Sequence, residues 1–378
     1  MSGFLCGPFY PPVMHESEVR PKRPRTPQTS IRLHPLDSVS NPNSIHGIYP
    51  YRGKMSALDA HQVVSQFSED WLLLDPFCGT GTVLYEAQMR GMQVIGVDNN
   101  PLACTIARGK TEPIDHEDTL AELESSIGQA RLERPTREMP DFPGRYFHPK
   151  TADQIMRVLD QSHSFSNYLL SAFYGAICVA ARACNGYLWT STSIGRLNPP
   201  LRPIDFYETF SRKVRKHLKY VKGSPPARVL EHDARLVYEV VSEGSVDVVY
   251  TSPPYFDALD YTGYYSRLVL EILGMDRTEI RDGLIQRYST YKEDMRKALH
   301  AIDRVVTDDS LIVFVVGDRR VHGRLIRGAD FFAEISPWGT PQIVEREYTR
   351  SASALWDRIN DTSRKEQVLV WNLSRGRE

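Results

Sequence analysis

Thr251-Ser252-Pro253-Pro254-Tyr255 follows a run, Ser245 to Tyr250, that reads as a buried strand. Ser252 offers a side-chain oxygen. The carbonyl of Pro253 offers a second acceptor without a ladder partner, because prolines cannot donate and end the strand. Two acceptors side by side suit an exocyclic NH₂ group. An amine conjugated to a heteroaromatic ring is a poor nucleophile, and accepting hydrogen bonds from both of its N–H groups draws the nitrogen toward a tetrahedral, attacking geometry. Tyr255 adds a ring on which a base rotated out of its helix can stack. The same residues also read as a plain Pro-Pro turn closing a strand.

A second chemical group lies upstream. Trp71-Leu-Leu-Leu-Asp75 reads as a strand that passes through Pro76-Phe77-Cys78-Gly79-Thr80-Gly81 into a helical run, Val83 to Gly91. This is the turn of a Rossmann-like sheet, where glycines without side chains let a ligand approach the backbone. The order is D-P-F-x-G-x-G rather than G-x-G-x-x-G. Three glycines opening a helix would suit a pyrophosphate, whereas an acid at the strand end suits the ammonium of a methionine moiety. The next strand, Gln93 to Val97, ends in Asp98-Asn99-Asn100-Pro101. A carboxylate there, about twenty residues beyond the glycines, can accept from both hydroxyls of a ribose. Cys78 has no base near it in sequence and reads as a small loop residue, not a nucleophile. An aromatic, glycine-containing loop, His46 to Met55, leads into a helix from Ala57 to Phe67.

Composition limits what these groups can belong to. The chain has 378 residues, enough for one large domain or two, with a formal net charge of -1. A surface meeting nucleic acid therefore needs locally concentrated basic residues. The five cysteines stand singly, which fits a reducing, cytoplasmic setting and suggests no metal site. No charged-then-apolar leader opens the sequence, and residues 1–43 mix Pro, Ser and basic residues as a flexible arm does. Tyr168 to Cys184 is too short and too interrupted to span a bilayer and reads as a buried helix.

With S-P-P-Y and D-P-F-x-G-x-G in hand, the chain resembles the S-adenosylmethionine-dependent DNA amino-methyltransferases, cytosine-N4 group, over about His46 to Gly109 and again from about Arg228 to the C-terminus. The resemblance implies an α/β fold: a Rossmann-like class I methyltransferase sheet of seven strands closing in a C-terminal antiparallel hairpin. It implies S-adenosyl-L-methionine as cofactor. Its methionine end would meet Tyr51 and Lys54 of Tyr49-Pro-Tyr-Arg-Gly-Lys54, with Met55 standing where the family usually has an aromatic. Asp75, Pro76, Phe77, Gly79, Gly81, Asp98 and Asn99 would complete the cofactor site, and Asp233, just before the S-P-P-Y strand, would accept from the adenine amine. Ser252, Pro253, Pro254 and Tyr255 would hold the target amine.

The implied partner is double-stranded DNA with a flipped base, with a cognate restriction endonuclease as a possible companion. Residues 111–225, far longer than a normal crossover, would be an inserted, largely helical target-recognition region within a catalytic domain of residues 44–110 and 226–378. In it, Tyr187, Trp189 and Arg196 lie on a turn-rich, aromatic stretch suited to reading bases. A helix from Ile204 to Val221 puts Phe206, Phe210, Val214 and Leu218 on one stripe and Arg212, Lys213 and Lys216 off it, either as a solvated face or as phosphate contacts. Farther on, Ser310 to Asp318 reads as the fifth strand, and Gln342 to Tyr348 with Gln367 to Leu373 as the closing hairpin. No Pro-Cys dipeptide is present, which removes ring-carbon methylation. Adenine-N6 and RNA guanine-N2 methylation remain as rivals, with a non-catalytic nucleic-acid-binding module behind them.

Overall fold

The computed structural model describes residues 31–33, 45–51, 55–186, 202–221, 225, 227–254, 260–321, 324–348 and 364–373. Its centre is a seven-stranded sheet built from β1 (Leu72–Asp75), β2 (Gln93–Asp98), β3 (Arg228–Glu231), β4 (Val246–Thr251), β5 (Val306–Gly317), β8 (Gln342–Tyr348) and β9 (Arg364–Asn372). A separate two-stranded hairpin of β6 (Arg319–Val321) and β7 (Arg324–Ile326) follows β5. The order across the large sheet is β3-β2-β1-β4-β5-β9-β8. The first five positions pair in parallel, while β9 runs antiparallel to β5 and β8 antiparallel to β9. The expected Rossmann-like class I methyltransferase sheet with its C-terminal antiparallel hairpin is thus present. β5 begins four residues earlier than the sequence suggests.

The strands read as continuous apolar runs because both faces of the sheet are covered. Alternate residues divide between two cores: Leu73, Val248, Tyr250, Val313 and Val368 face one, and Leu74, Val249, Ile312, Phe314 and Leu369 face the other. On the first side lie α1 (Ala57–Val64), α2 (Thr82–Gln88) and α3 (Pro101–Thr111); on the second lie the 3-10 turn Ala234–Glu239, α11 (Tyr288–Val305) and α12 (Gly328–Ile335).

Between β2 and β3 the described residues are largely helical, as expected, with α4 (His116–Leu132), α5 (Asp141–Gly144), α6 (Pro149–Gln161), α7 (Asn167–Cys184) and α8 (Phe206–Leu218). It forms a further layer behind α3, which serves two cores at once. Cys104 and Ala107 turn to the sheet, while Leu102 and Ile106 turn to the insertion. The same added core takes in α9 (Tyr264–Leu273), which α10 (Arg277–Gly283) follows. α7 runs antiparallel to α3. A Cβ on Gly109, near the end of α3, would strike Asn167 and Ser171 at the start of α7, whereas Gly175, a turn and more later, presses against the carbonyl of Ile48 near the pocket-side loop. The C-terminus of α7 therefore returns to the end of the sheet at which β1, β2 and β4 finish.

Candidate functional site

The chain leaves β1 for β2 and β3 on one side and returns to β4 on the other, so a crevice opens between the ends of β1 and β4. Such switch points hold ligands in open α/β sheets. Here the crevice is a cleft with about 830 Å³ of empty space, open solvent included. Asp75, Pro76, Phe77 and Gly79 line it from the turn after β1, Asp98 and Asn99 from the end of β2, and Asp233 from the end of β3. Ser252 and Pro254 line it from the end of β4, and Tyr51 from the loop before α1.

The glycines are where the backbone requires them. Gly79 and Gly81 hold φ of 49° and 69°. A Cβ on Gly81 would stand 2.9 Å from the Cβ of Ala107 on α3, so this glycine also sets how closely two helices approach. Buried Lys110, from the last turn of α3, donates to the carbonyl of Thr80 and fixes the loop from beneath.

Each carboxylate is held by named donors. Asp75 Oδ1 accepts from the backbone N–H of Phe77 at 3.2 Å and from the Thr251 hydroxyl at 2.6 Å. Asp98 accepts from the N–H groups of Gly79 and Asn100, both at 2.9 Å. Burial lifts Asp75 to about 7, against its two hydrogen bonds, and nearby Asp98 adds to the rise. Burial likewise lifts Asp98 to about 6, against its two N–H donors. Asp233 caps the 3-10 turn and shares its carboxylate with the Arg235 guanidinium, which also reaches Asp294 at 2.8 Å. Three carboxylates around one cleft suit a ligand rich in donors, with a cationic group near Asp75 and a vicinal diol near Asp98.

Aromatic rings close the cleft. The Tyr51 hydroxyl accepts from Asn100 Nδ2 at 3.3 Å, and its ring stacks on Tyr261 at 6.3 Å with planes 24° apart. Tyr261 also lines the cleft and lies on the aromatic stretch after S-P-P-Y. Leu284 and Ile285, just after α10, form an apolar wall that no motif announces. Asn99 Nδ2 reaches that wall, donating to the carbonyl of Gly283 at 2.7 Å. At the S-P-P-Y turn, the buried Tyr291 hydroxyl donates to the carbonyl of Pro254. Burial pushes the Cys78 thiol well above its ordinary range, consistent with a small loop residue.

Lys54, Tyr255, Tyr187, Trp189 and Arg196 lie outside the described residues. Pro253 is described but is not among the residues lining the cleft. On α8 the expected apolar stripe is buried, but the basic residues are more occupied than the spacing suggests. Lys213 folds back to donate to the carbonyl of Gly47 at 2.8 Å, drawn to a backbone acceptor that the helix spacing alone cannot reveal. Arg212 pairs with Glu208 at 3.4 Å, and Lys216 stands exposed.

No family model matches the chain. It is similar to a Type II methyltransferase, M.MjaII, of Methanocaldococcus jannaschii, at 36% identity over 81 residues, 21% of this chain and 15% of that protein. It is also similar to the Type II methyltransferase M.MvaI of Kocuria varians, at 25% identity over 238 residues. That match covers 55% of this chain and 52% of the relative, so the chain spans about half the length of that protein and far less of the first. Among solved structures, an rRNA methyltransferase from Streptomyces viridochromogenes matches at 13% identity and a TM-score of 0.35, covering 89% of this chain and 92% of its own. That superposition is too loose to bear on the site.

Proposed function

We propose that this protein transfers a methyl group from S-adenosylmethionine to an exocyclic amine of a base flipped out of double-stranded DNA, with cytosine N4 as the acceptor. The observation that carries the reading is that Ser252 and Pro254 line the same cleft as Asp75, Asp98 and Asp233. One acceptor for an amine, the Ser252 hydroxyl, thus stands beside acceptors for an ammonium, a ribose and a heterocyclic amine. The Type II methyltransferases the chain is similar to support the nucleic-acid half of the reading.

The cofactor would supply an electrophilic sulfonium methyl. Asp75 would bind its ammonium, Asp98 its ribose hydroxyls and Asp233 its adenine amine. The carboxylates of Asp75 and Asp98 are already oriented by backbone and side-chain donors, so little reorganisation is needed. The Ser252 hydroxyl and the Pro253 carbonyl would accept from the two amine N–H groups. Because Tyr291 holds the Pro254 carbonyl, the turn is fixed without engaging its neighbour. Direct displacement needs the amine aligned behind the methyl group, so positioning supplies most of the rate. A cognate endonuclease and residues 111–225 as the target-recognition region complete the proposal.

The test is to incubate purified protein with methyl-labelled cofactor and mixed-sequence duplex DNA, digest the product, and identify the nucleoside by mass spectrometry. N4-methylcytosine supports the full reading. Only N6-methyladenine keeps the enzyme class and overturns the acceptor, and label in RNA alone overturns the DNA substrate.

A further inference from the structure

A second, shallow and open cleft lies in the insertion between the end of α4 and the starts of α6 and α8. Arg131, Lys150, Asp153, Gln154, Arg157 and Tyr207 line it. Its frame is fixed. Gln154 Oε1 accepts from the N–H of Phe206 at 2.7 Å, tying α6 to α8, and the Tyr207 hydroxyl donates to the carbonyl of Ala130 at 3.1 Å, tying α8 to α4.

Its charge is not balanced. Arg157 is paired with Asp153 at 2.6 Å. Arg131 lies over the Tyr207 ring at 5.1 Å, and among the described residues neither it nor Lys150 makes an ion pair with a carboxylate. The lining thus carries two more cations than carboxylates, with Asp205 at the N-cap of α8 also acting on Tyr207, on a chain whose formal net charge is -1. On α8, by contrast, Arg212 and Arg215 face Glu208 and Glu124, and Lys213 is bound to Gly47. Cations without ion-pair partners beside an aromatic ring suit phosphate oxygens, even with Asp153 and Asp205 close by.

The location agrees. α7 returns toward the end of the sheet that carries the main cleft. At its end, Asn185 Nδ2 donates to the carbonyl of Tyr146 at 3.1 Å, three residues before α6 begins with Pro149 and Lys150.

We infer that this cleft grips the phosphodiester backbone of the duplex whose base enters the main cleft, with Arg131 and Lys150 as phosphate ligands. The inference rests on the proposed DNA substrate. It places backbone contact at the α4–α6–α8 junction and not on the basic face of α8.

The test is binding of a fluorescent 30-base-pair duplex, followed by anisotropy from 50 to 200 mM salt. In a variant carrying Arg131→Gln and Lys150→Gln, the slope of log affinity against log salt should fall by about 1.8, the loss of two phosphate contacts at about 0.9 each. Cofactor affinity by calorimetry should not change. A variant carrying Arg212→Gln and Lys216→Gln should keep the wild-type slope. If the cleft variant keeps that slope, or if its loss appears only with single-stranded RNA, the inference is overturned. Should the double variant melt early, Lys150→Glu alone, at an exposed position, must still weaken duplex binding. The two readings fail separately. Cleft-dependent DNA binding without any methylated nucleoside removes the enzymatic reading and leaves the cleft, whereas methyl transfer with an unaltered slope removes the cleft.

Discussion

The Thr251 hydroxyl donates to the Asp75 carboxylate at 2.6 Å, joining the last residue of β4 to the last residue of β1 across the switch point of the sheet. Both residues are buried. One bond thus couples the two motifs: the acid proposed to receive the ammonium, and the residue that opens the S-P-P-Y turn. Among the described residues both donors to Asp75 meet Oδ1, so its second oxygen is the one proposed to receive the ammonium.

Thr251→Val keeps the shape of that side chain and removes the donor. A hydrogen bond to a charged group is worth about 1.5–3 kcal/mol. Without it the Asp75 carboxyl should rise further above its already raised position, because the Thr251 contact is the larger of the two that lower it. Calorimetry at neutral pH should show S-adenosylmethionine binding weakened by roughly tenfold or more, in a protein whose far-ultraviolet spectrum is unchanged. Unaltered affinity would detach Asp75 from the cofactor.

The two raised carboxyls also set a pH dependence. A ligand that donates to them selects their ionised forms, so affinity should be full above about pH 8 and fall as pH drops through about 7 for Asp75 and then about 6 for Asp98. Between pH 8 and 5.5 the combined loss should be on the order of thirtyfold to a hundredfold. The ligand-free protein should behave in the opposite sense. A carboxyl raised by folding destabilises the fold once ionised, so stability should decline as pH rises from about 4 to 7. Asp75→Asn should flatten both curves, and a cofactor affinity that is level from pH 8 to 5.5 in the wild-type protein would remove these groups from the site.

Much of the site is legible in the sequence. Asp75 and Asp98 end strands, Gly79, Asp233 and Ser252 follow them, and the end of a parallel strand fixes where the next few side chains go. The same rule cannot reach Leu284, which arrives at the cleft from the turn after α10, or Tyr291, which meets the Pro254 carbonyl from α11, both through tertiary packing. Nor can it reach Lys213. Helical spacing places that residue off the apolar stripe, and only the fold brings the carbonyl of Gly47 within its reach. The added layer behind α3 is helical as expected, but its two-sided sharing of α3 depends on Leu102 and Ile106 alternating with Cys104 and Ala107, a pattern that a single amphipathic stripe conceals.

Gly81→Ala should be destabilising by about 2 kcal/mol or more, combining a left-handed φ with a contact of 2.9 Å to Ala107. A change in its neighbour discriminates between the two causes. Ala107→Gly removes the nearer contact and leaves the Ala107 Cα at 3.1 Å, so a double variant that regains half or more of the lost melting temperature identifies the clash between helices as the main cause. The reference is the Ala107→Gly single variant, since a glycine inside α3 costs about 0.5–1 kcal/mol by itself; a double variant lower than that reference by the full Gly81→Ala loss shows that removing the Ala107 Cβ relieves nothing.

The amine-holding turn can be tested through two side chains. If the Ser252 oxygen accepts one N–H of the target and the Pro253 carbonyl the other, Ser252→Ala should leave cofactor and DNA binding intact and lower the methyl-transfer rate by about 10²- to 10³-fold, the usual effect of removing one transition-state hydrogen bond. Tyr291→Phe should behave differently. It touches no reacting atom in the proposal, but it frees the Pro254 carbonyl that the hydroxyl now holds. The turn then loses one anchor, and transfer should slow by about tenfold through poorer alignment, with cofactor affinity preserved. Combining the two changes reports on their independence. If Tyr291 acts only by holding the turn that presents Ser252, the double variant should be little slower than Ser252→Ala, because the group being positioned is already gone. Fully multiplicative losses in single-turnover assays would mean that Tyr291 positions something other than Ser252, and a fully active Ser252→Ala would end the role proposed for the hydroxyl.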